Sequence, residues 1–187
     1  MNSSKNFLIL LLAIIISSCQ TEQAKNTYTI SGKIIFPGYI NSVIPFQVNL
    51  ISNNQIIATS TNEIFTFSGL EEGQSYTISP QADDSRNGVT TLDRVLIEKY
   101  INGEIELDPF QKLAADVNRD NAIDQTDIDL LINCIMADTC FSWRFYTEDY
   151  DGNGNGYIDQ YTIDNLTSDM EVNFLPIKLG DVNGTAH

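Results

Sequence analysis

Histidine is almost missing from this chain of 187 residues: the single copy is His187. With that one at the last position, a histidine-based catalytic triad or a histidine-ligated zinc is not expected. Positive charge is scarce as well. Ten Lys and Arg face 25 Asp and Glu, for a net charge of −15. Nucleic acid and anionic membrane surfaces both reward basic side chains, so neither is an expected partner. The chain has no Gly-x-Ser-x-Gly nucleophile elbow and no glycine-rich loop running into a Lys that could cradle a phosphate. Paired carboxylates can hydrolyse glycosides, but the spacing of the acids here suits a cation better. No enzymatic activity is expected.

Long apolar runs are missing too. The longest, Phe7 to Ile16, is too short to span a bilayer and reads as the core of an export signal. It follows a short start with Lys5 and ends in Ile16-Ser17-Ser18-Cys19. A branched aliphatic residue, two small ones and a Cys resemble the lipobox of bacterial lipoproteins. The resemblance implies cleavage before Cys19, acylation at Cys19, and location at a bacterial membrane. The outer membrane is expected, on its periplasmic or surface side, with lipid as the only membrane contact. An ordinary secretory signal with a chance Cys is the alternative. Residues 20–27 would then be a polar tether. Cys134 and Cys140 are the other two cysteines. In an exported protein a disulfide between them is expected; two buried, unlinked thiols are the alternative.

Charge divides the chain. Residues 1–82 hold four acids (Glu22, Glu63, Glu71, Glu72) and three bases. Residues 83–187 hold the remaining 21 acids and seven bases, and so carry −14 of the −15. This asymmetry predicts two modules. The acidic half is also rich in Leu, Ile, Phe and Tyr, which argues against disorder.

Over residues 28–82 the pattern is β. YTISGKIIF, VIPFQVNLIS, NQIIATST, EIFTFSGL and SYTISP alternate or are β-branched. Gly32, Pro37-Gly38, Asn53-Asn54, Gly69 and Gly73 punctuate them, which predicts a small antiparallel sandwich. SGKI at 31–34 and FTFSGLEEGQSYTISP at 65–80 resemble the carboxypeptidase regulatory-like and prealbumin-like families, which implies an Ig-like or carbohydrate-binding-like sandwich fold. A glycan-binding face would need exposed aromatics; Phe65, Phe67 and Tyr76 fit better as core.

The most informative stretch is DVNRDNAIDQTDIDLL, Asp116 to Leu131. A calcium loop supplies oxygens from its positions one, three, five, seven, nine and twelve. Here those positions hold Asp116, Asn118, Asp120, the Ala122 carbonyl, Asp124 and Asp127. Ile123, at position eight, would pin the loop to a core. Asn121 stands at position six, where glycine is preferred, and Asn tolerates the left-handed conformation better than most residues. A helix over about Thr126 to Met136 would place Ile128, Leu131, Ile132 and Ile135 on one stripe. No helix is evident before the loop. An acidic solvated turn is the alternative reading.

DxNxDGxIxxxD followed by a helix is similar to the type I dockerin repeat. The resemblance implies a mainly α, calcium-binding module over 83–187 that docks a cohesin-like protein and is often associated with polysaccharide breakdown. Dockerins carry two repeats. NGVTTLDRVLIEKYI aligns with the second repeat, with Val89, Thr90 and Asp93 on Ile123, Asp124 and Asp127, and a helix over Leu92 to Ile101. Its loop matches less well. Arg86 falls on a ligand position, so a loop of altered length using Asp83, Asp84, Asn87 and Asp93 is the candidate. SWRF and IKLGDVNG extend the likeness to dockerin-like C-terminal regions of surface proteins from Bacteroidetes-type bacteria. A third acidic loop offers Asp151, Asn153, Asn155, the Tyr157 carbonyl and Asp159, with a plain Gly-Asn surface loop as its alternative. GDVNG, ending at Gly184, looks like the start of another loop without room to finish. It is expected as a closing turn that lends an oxygen to a neighbour.

Three function classes follow. One is a calcium-binding, dockerin-like interaction module on a lipid anchor. Another is a glycan-binding surface lipoprotein that uses the sandwich face. The third is a purely structural accessory in which the two modules form one unit with no external partner.

Overall fold

The computed structural model describes residues 25–36, 45–82, 88–137, 143–148, 150 and 160–186. Alternating, β-branched sequence forms five strands first: β1 (Thr27–Lys33), β2 (Phe46–Ser52), β3 (Gln55–Ser60), β4 (Ile64–Glu71) and β5 (Tyr76–Ala82). Between β2 and β3 only Asn53 and Asn54 intervene, both at positive φ (51° and 60°). This is the mirror-image turn that matches strand twist, and Asn is one of the few residues that accept it. Three helices follow: α1 (Thr91–Ile101), α2 (Pro109–Ala115) and α3 (Gln125–Ala137). Four more strands come after them: β6 (Trp143–Thr147), β7 (Tyr161–Ile163), β8 (Met170–Glu171) and β9 (Phe174–Lys178). Among the described residues no helix is long and apolar enough to cross a membrane.

The strands make three sheets, ordered β4-β1-β8, β3-β2-β5-β7 and β6-β9. This amends the expected division at residue 82/83. The strands after the helices do not stay with them: β7 pairs antiparallel with β5, and β8 pairs parallel with β1. The sandwich is therefore built from both ends of the sequence and is not wholly antiparallel. Backbone bonds between Gly73 and Leu166 and between Leu166 and Gln74, at 2.8 and 3.0 Å, pin the returning chain to the β4–β5 turn. At Gly32 the two parts lie close together. A Cβ there would collide with the Val172 carbonyl and the Phe65 ring, so the β1–β8 pairing needs a glycine.

The β6–β9 ribbon carries the architecture because it is buried on both faces. Side chains alternate across a strand. Trp143, Phe145 and Phe174 pack with Ile30, Val48, Phe65, Ile78 and Leu166 in the sandwich core. Tyr146, Leu175 and Ile177 pack with Ile97, Ala114, Ile128 and Leu131 in the helical core. One two-stranded ribbon is thus the common wall of two cores.

A shared wall predicts shared unfolding. Phe174 and Ile177 are both fully buried, one on each face. Phe174→Ala should cost about 3–5 kcal/mol and Ile177→Ala about 2–5 kcal/mol. Each should shift the same single urea transition, followed by Trp143 fluorescence and by helical circular dichroism. Two separate transitions, each moved by only one substitution, would contradict the shared wall.

Candidate metal centre

Helix α3 begins where the sequence pattern placed it, and the acidic loop lies in front of it. The loop is entered from α2, a helix that the periodicity did not reveal. Its signal was local: Asp108, Pro109 and Gln111 form a reciprocal capping box with Pro in the first helical turn. This fixes the helix start without any long apolar stripe. α2 ends at Asp116, whose amide bonds back to the Lys112 carbonyl.

From Asp116 the backbone wraps inwards. Arg119 and Asn121 take left-handed φ of 62° and 67°, so Asn121 meets the conformation for which glycine is preferred at position six. The loop carboxylates collect its amide donors. Asp116 accepts from the Asp120 and Asn121 amides at 3.1 and 3.0 Å. Asp120 accepts from the Ala122 amide at 2.9 Å and from the Asn118 side-chain amide at 2.8 Å. Asp124 accepts from the Thr126 amide at 2.7 Å and so caps α3. Asp127, 0% exposed, spans the whole loop. It accepts from the Val117 and Asn118 amides on Oδ1 (2.7 and 3.2 Å) and from the Asp124 amide on Oδ2 (3.0 Å). Half-buried Ile123 packs on the helical core.

The electrostatics are those of a loop with surplus negative charge. Burial pushes the Asp116 carboxyl above its usual 3.8; amide hydrogen bonds pull it back, and the neighbouring Asp127 carboxylate pushes it up again. Tyr146, on the β6–β9 ribbon, is pushed up to about 12 by burial, with Tyr150 and Asp116 adding to it. Its phenol therefore stays protonated and neutral beside the loop.

Among the described residues, no three Asp, Glu, His or Cys side chains draw close enough together to hold an ion. The donors nonetheless suit a hard divalent cation. All are oxygens, on Asp116, Asn118, Asp120, Asp124 and Asp127 together with the Ala122 carbonyl. A carboxylate that accepts one or two amides keeps further lone pairs. Such a set fits calcium and not a soft metal.

The remaining sequence candidates fare differently. Asp93 sits in the first turn of α1, 0% exposed. It accepts from the Thr90 amide, the Thr90 hydroxyl and the Asn183 amide at 2.8, 2.8 and 3.0 Å. Asp83, Asp84 and Asn87 lie outside the described residues, as do Asp151, Asn153, Asn155, Tyr157 and Asp159 of the third loop, and Cys19. Cys134 is disulfide-bonded; Cys140, its expected partner, lies outside the described residues.

Compared with known families, residues 84–136 match the dockerin type I domain. The match spans α1, α2, the acidic loop and nearly all of α3. No curated protein and no solved structure matches the chain.

A raised carboxyl binds its proton more tightly in the folded chain. Its contribution to folding is full below the unfolded value and is lost as pH rises through the folded one. With chelator present, Asp116→Asn should lose one of the two amide acceptors and some stability, but it should flatten the fall in stability that begins as pH rises above the ordinary carboxylate value. Urea unfolding at about pH 4 and about pH 7, in parent and variant, checks this, and an unchanged slope would contradict it.

Proposed function

We propose that this chain is a non-catalytic, calcium-folded interaction protein whose dockerin region docks a cohesin-like partner. The dockerin match over residues 84–136 is the observation that carries the reading. The loop Asp116, Asn118, Asp120, Ala122, Asp124 and Asp127 is its chemical core. Calcium would offset the mutual repulsion of carboxylates held on one small loop. Binding would therefore be coupled to folding more than to signalling.

Helix α1 supports a protein partner. It exposes Leu92 (53%) and Val95 (36%) one turn apart, and Met136 at the end of α3 is also exposed. Apolar side chains on the helices of so acidic a module suit a protein surface better than a sugar. The sandwich does not favour the glycan alternative: Phe65, Phe67 and Tyr76 are buried in its core. Display from a bacterial membrane through a lipid on Cys19 belongs to the same proposal and rests on the sequence before that residue.

Extracellular calcium modules bind with dissociation constants of ~10⁻⁴–10⁻³ M. At ~10 mM calcium, linkage then gives about 1.4–2.7 kcal/mol of stabilisation. The test is thermal unfolding with calcium and with chelator, on the parent and on Asp120→Ala, whose side chain is exposed in the loop. Calcium should raise the parent's midpoint and raise that of the variant much less. A cohesin module should bind the parent in calcium and not in chelator. Equal midpoints in calcium and chelator would reduce the loop to a solvated turn and remove the proposal.

A further inference from the structure

Helix α1 lacks a good loop ahead of it in sequence, yet the structure supplies one from the opposite end of the chain. The correspondence with the loop 116–127 runs bond by bond. Asp116 accepts the amides four and five residues on, those of Asp120 and Asn121. Asp181 accepts the amides four and five residues on, those of Thr185 and Ala186, at 3.0 and 2.8 Å. At the other end of the loop, Asp127 accepts from Asn118 on Oδ1 and from Asp124 on Oδ2. Asp93 accepts from Asn183 on Oδ1 and from Thr90 on Oδ2. The Thr126 amide bonds to the Asp124 side chain, and the Leu92 amide to the Thr90 side chain. Val117 and Val182, which follow the two leading aspartates, are both buried. The fourth residues, Arg119 and Gly184, share left-handed φ of 62° and 68°.

The two pieces also meet where a continuous chain would join them. A Cβ on Gly88 would collide with the Ala186 backbone, and the Thr185 hydroxyl donates to the Gly88 carbonyl at 3.1 Å. Residues 181–186 therefore stand to 88–93 as 116–121 stand to 122–127.

One atom in this arrangement lacks a counterpart. The side-chain oxygen of Asn118 accepts the Asp120 amide at 2.9 Å. The Oδ1 of Asn183, in the corresponding place, is buried and has no hydrogen-bond donor among the described residues. A buried amide oxygen left without a donor is costly unless a positive group meets it. Around it, Asp93 and Asp181 are 0% and 1% exposed. Burial pushes the Asp181 carboxyl above its usual range; the Thr185, Ala186 and Gly184 amides and nearby Lys178 draw it only part of the way back.

We propose that residues 88–93 and 181–186 form a second, split calcium loop, with Asp181, Asn183, the Gly88 carbonyl, Thr90 and Asp93 as ligands. The inference rests on reading 116–127 as a calcium loop. It adds a site that the dockerin match, ending at residue 136, does not reach. With two carboxylates in place of four, the split loop binds calcium more weakly. Its occupation ties the two ends of the sequence together, so metal there holds the returning strands β7–β9 as well as α1.

The test is a calorimetric calcium titration of the full chain, its Asn183→Ala and Asp181→Asn variants, and Asp120→Ala. The parent should take up two ions with unequal affinity. Asn183→Ala removes an oxygen that makes no hydrogen bond, so the metal-free protein should keep its midpoint. The weaker binding step should fall at least tenfold, and the tighter step should remain. Asp181→Asn should do the same to the weaker step. Asp120→Ala should weaken the tighter one. A single ion in the parent, with affinity unchanged by Asn183→Ala and Asp181→Asn and lost in Asp120→Ala, overturns the split loop and leaves the function proposed above intact. Absence of any calcium uptake overturns both.

Discussion

The structure depends on one ribbon that packs against a core on each face. β6 and β9 present Trp143, Phe145 and Phe174 to the sandwich, and Tyr146, Leu175 and Ile177 to the helices. A strand ordinarily buries one side; this ribbon packs apolar side chains on both, and all five residues of β9 are buried. This places Lys178 in the interior at 1% exposure, with its ammonium 5.8 Å from the centre of the Trp143 ring. The strand-rich part and the helical part therefore share a wall.

Against that packing stands a repulsion. Four aspartates share a loop of twelve positions, and one of them is fully buried. The loop manages the charge with its own amides, which Asp116, Asp120 and Asp127 collect from nearly every turn of the backbone. Those bonds fix the backbone path but leave the net charge in place. A hard divalent cation is the natural complement to such a loop. Bound there, it would add folding free energy next to the helical core.

Much of this was legible in the sequence, and the parts that were not share a cause. Period-two alternation marked β1 to β5, and the apolar stripes marked α1 and α3 to within a residue or two, because both signals are local. The acidic loop stood out because oxygen-bearing side chains fall at fixed offsets just ahead of an apolar stripe. Helix α2 was not, because seven residues leave little room for a stripe; only the Asp108 and Gln111 cap marked it. The destination of residues 161–178 was not legible either. Pairing of β7 with β5 and of β8 with β1 joins residues far apart in the chain, and β8 has only two residues to announce itself. GDVNG read as an unfinished loop because its completing half, Gly88 to Asp93, lies near the middle of the sequence.

The most direct measurement is a calcium titration followed by amide resonances. The amides of Val117, Asp120, Asn121, Ala122 and Asp124 all donate to loop carboxylates. Any ion seated among those oxygens must disturb these amides first. The account predicts that they move saturably with calcium while those of β2 and β3, on the far side of the sandwich, stay still. If the loop resonances do not respond, or respond no more than those of β2 and β3, the acidic loop is not a calcium site and the central claim is wrong.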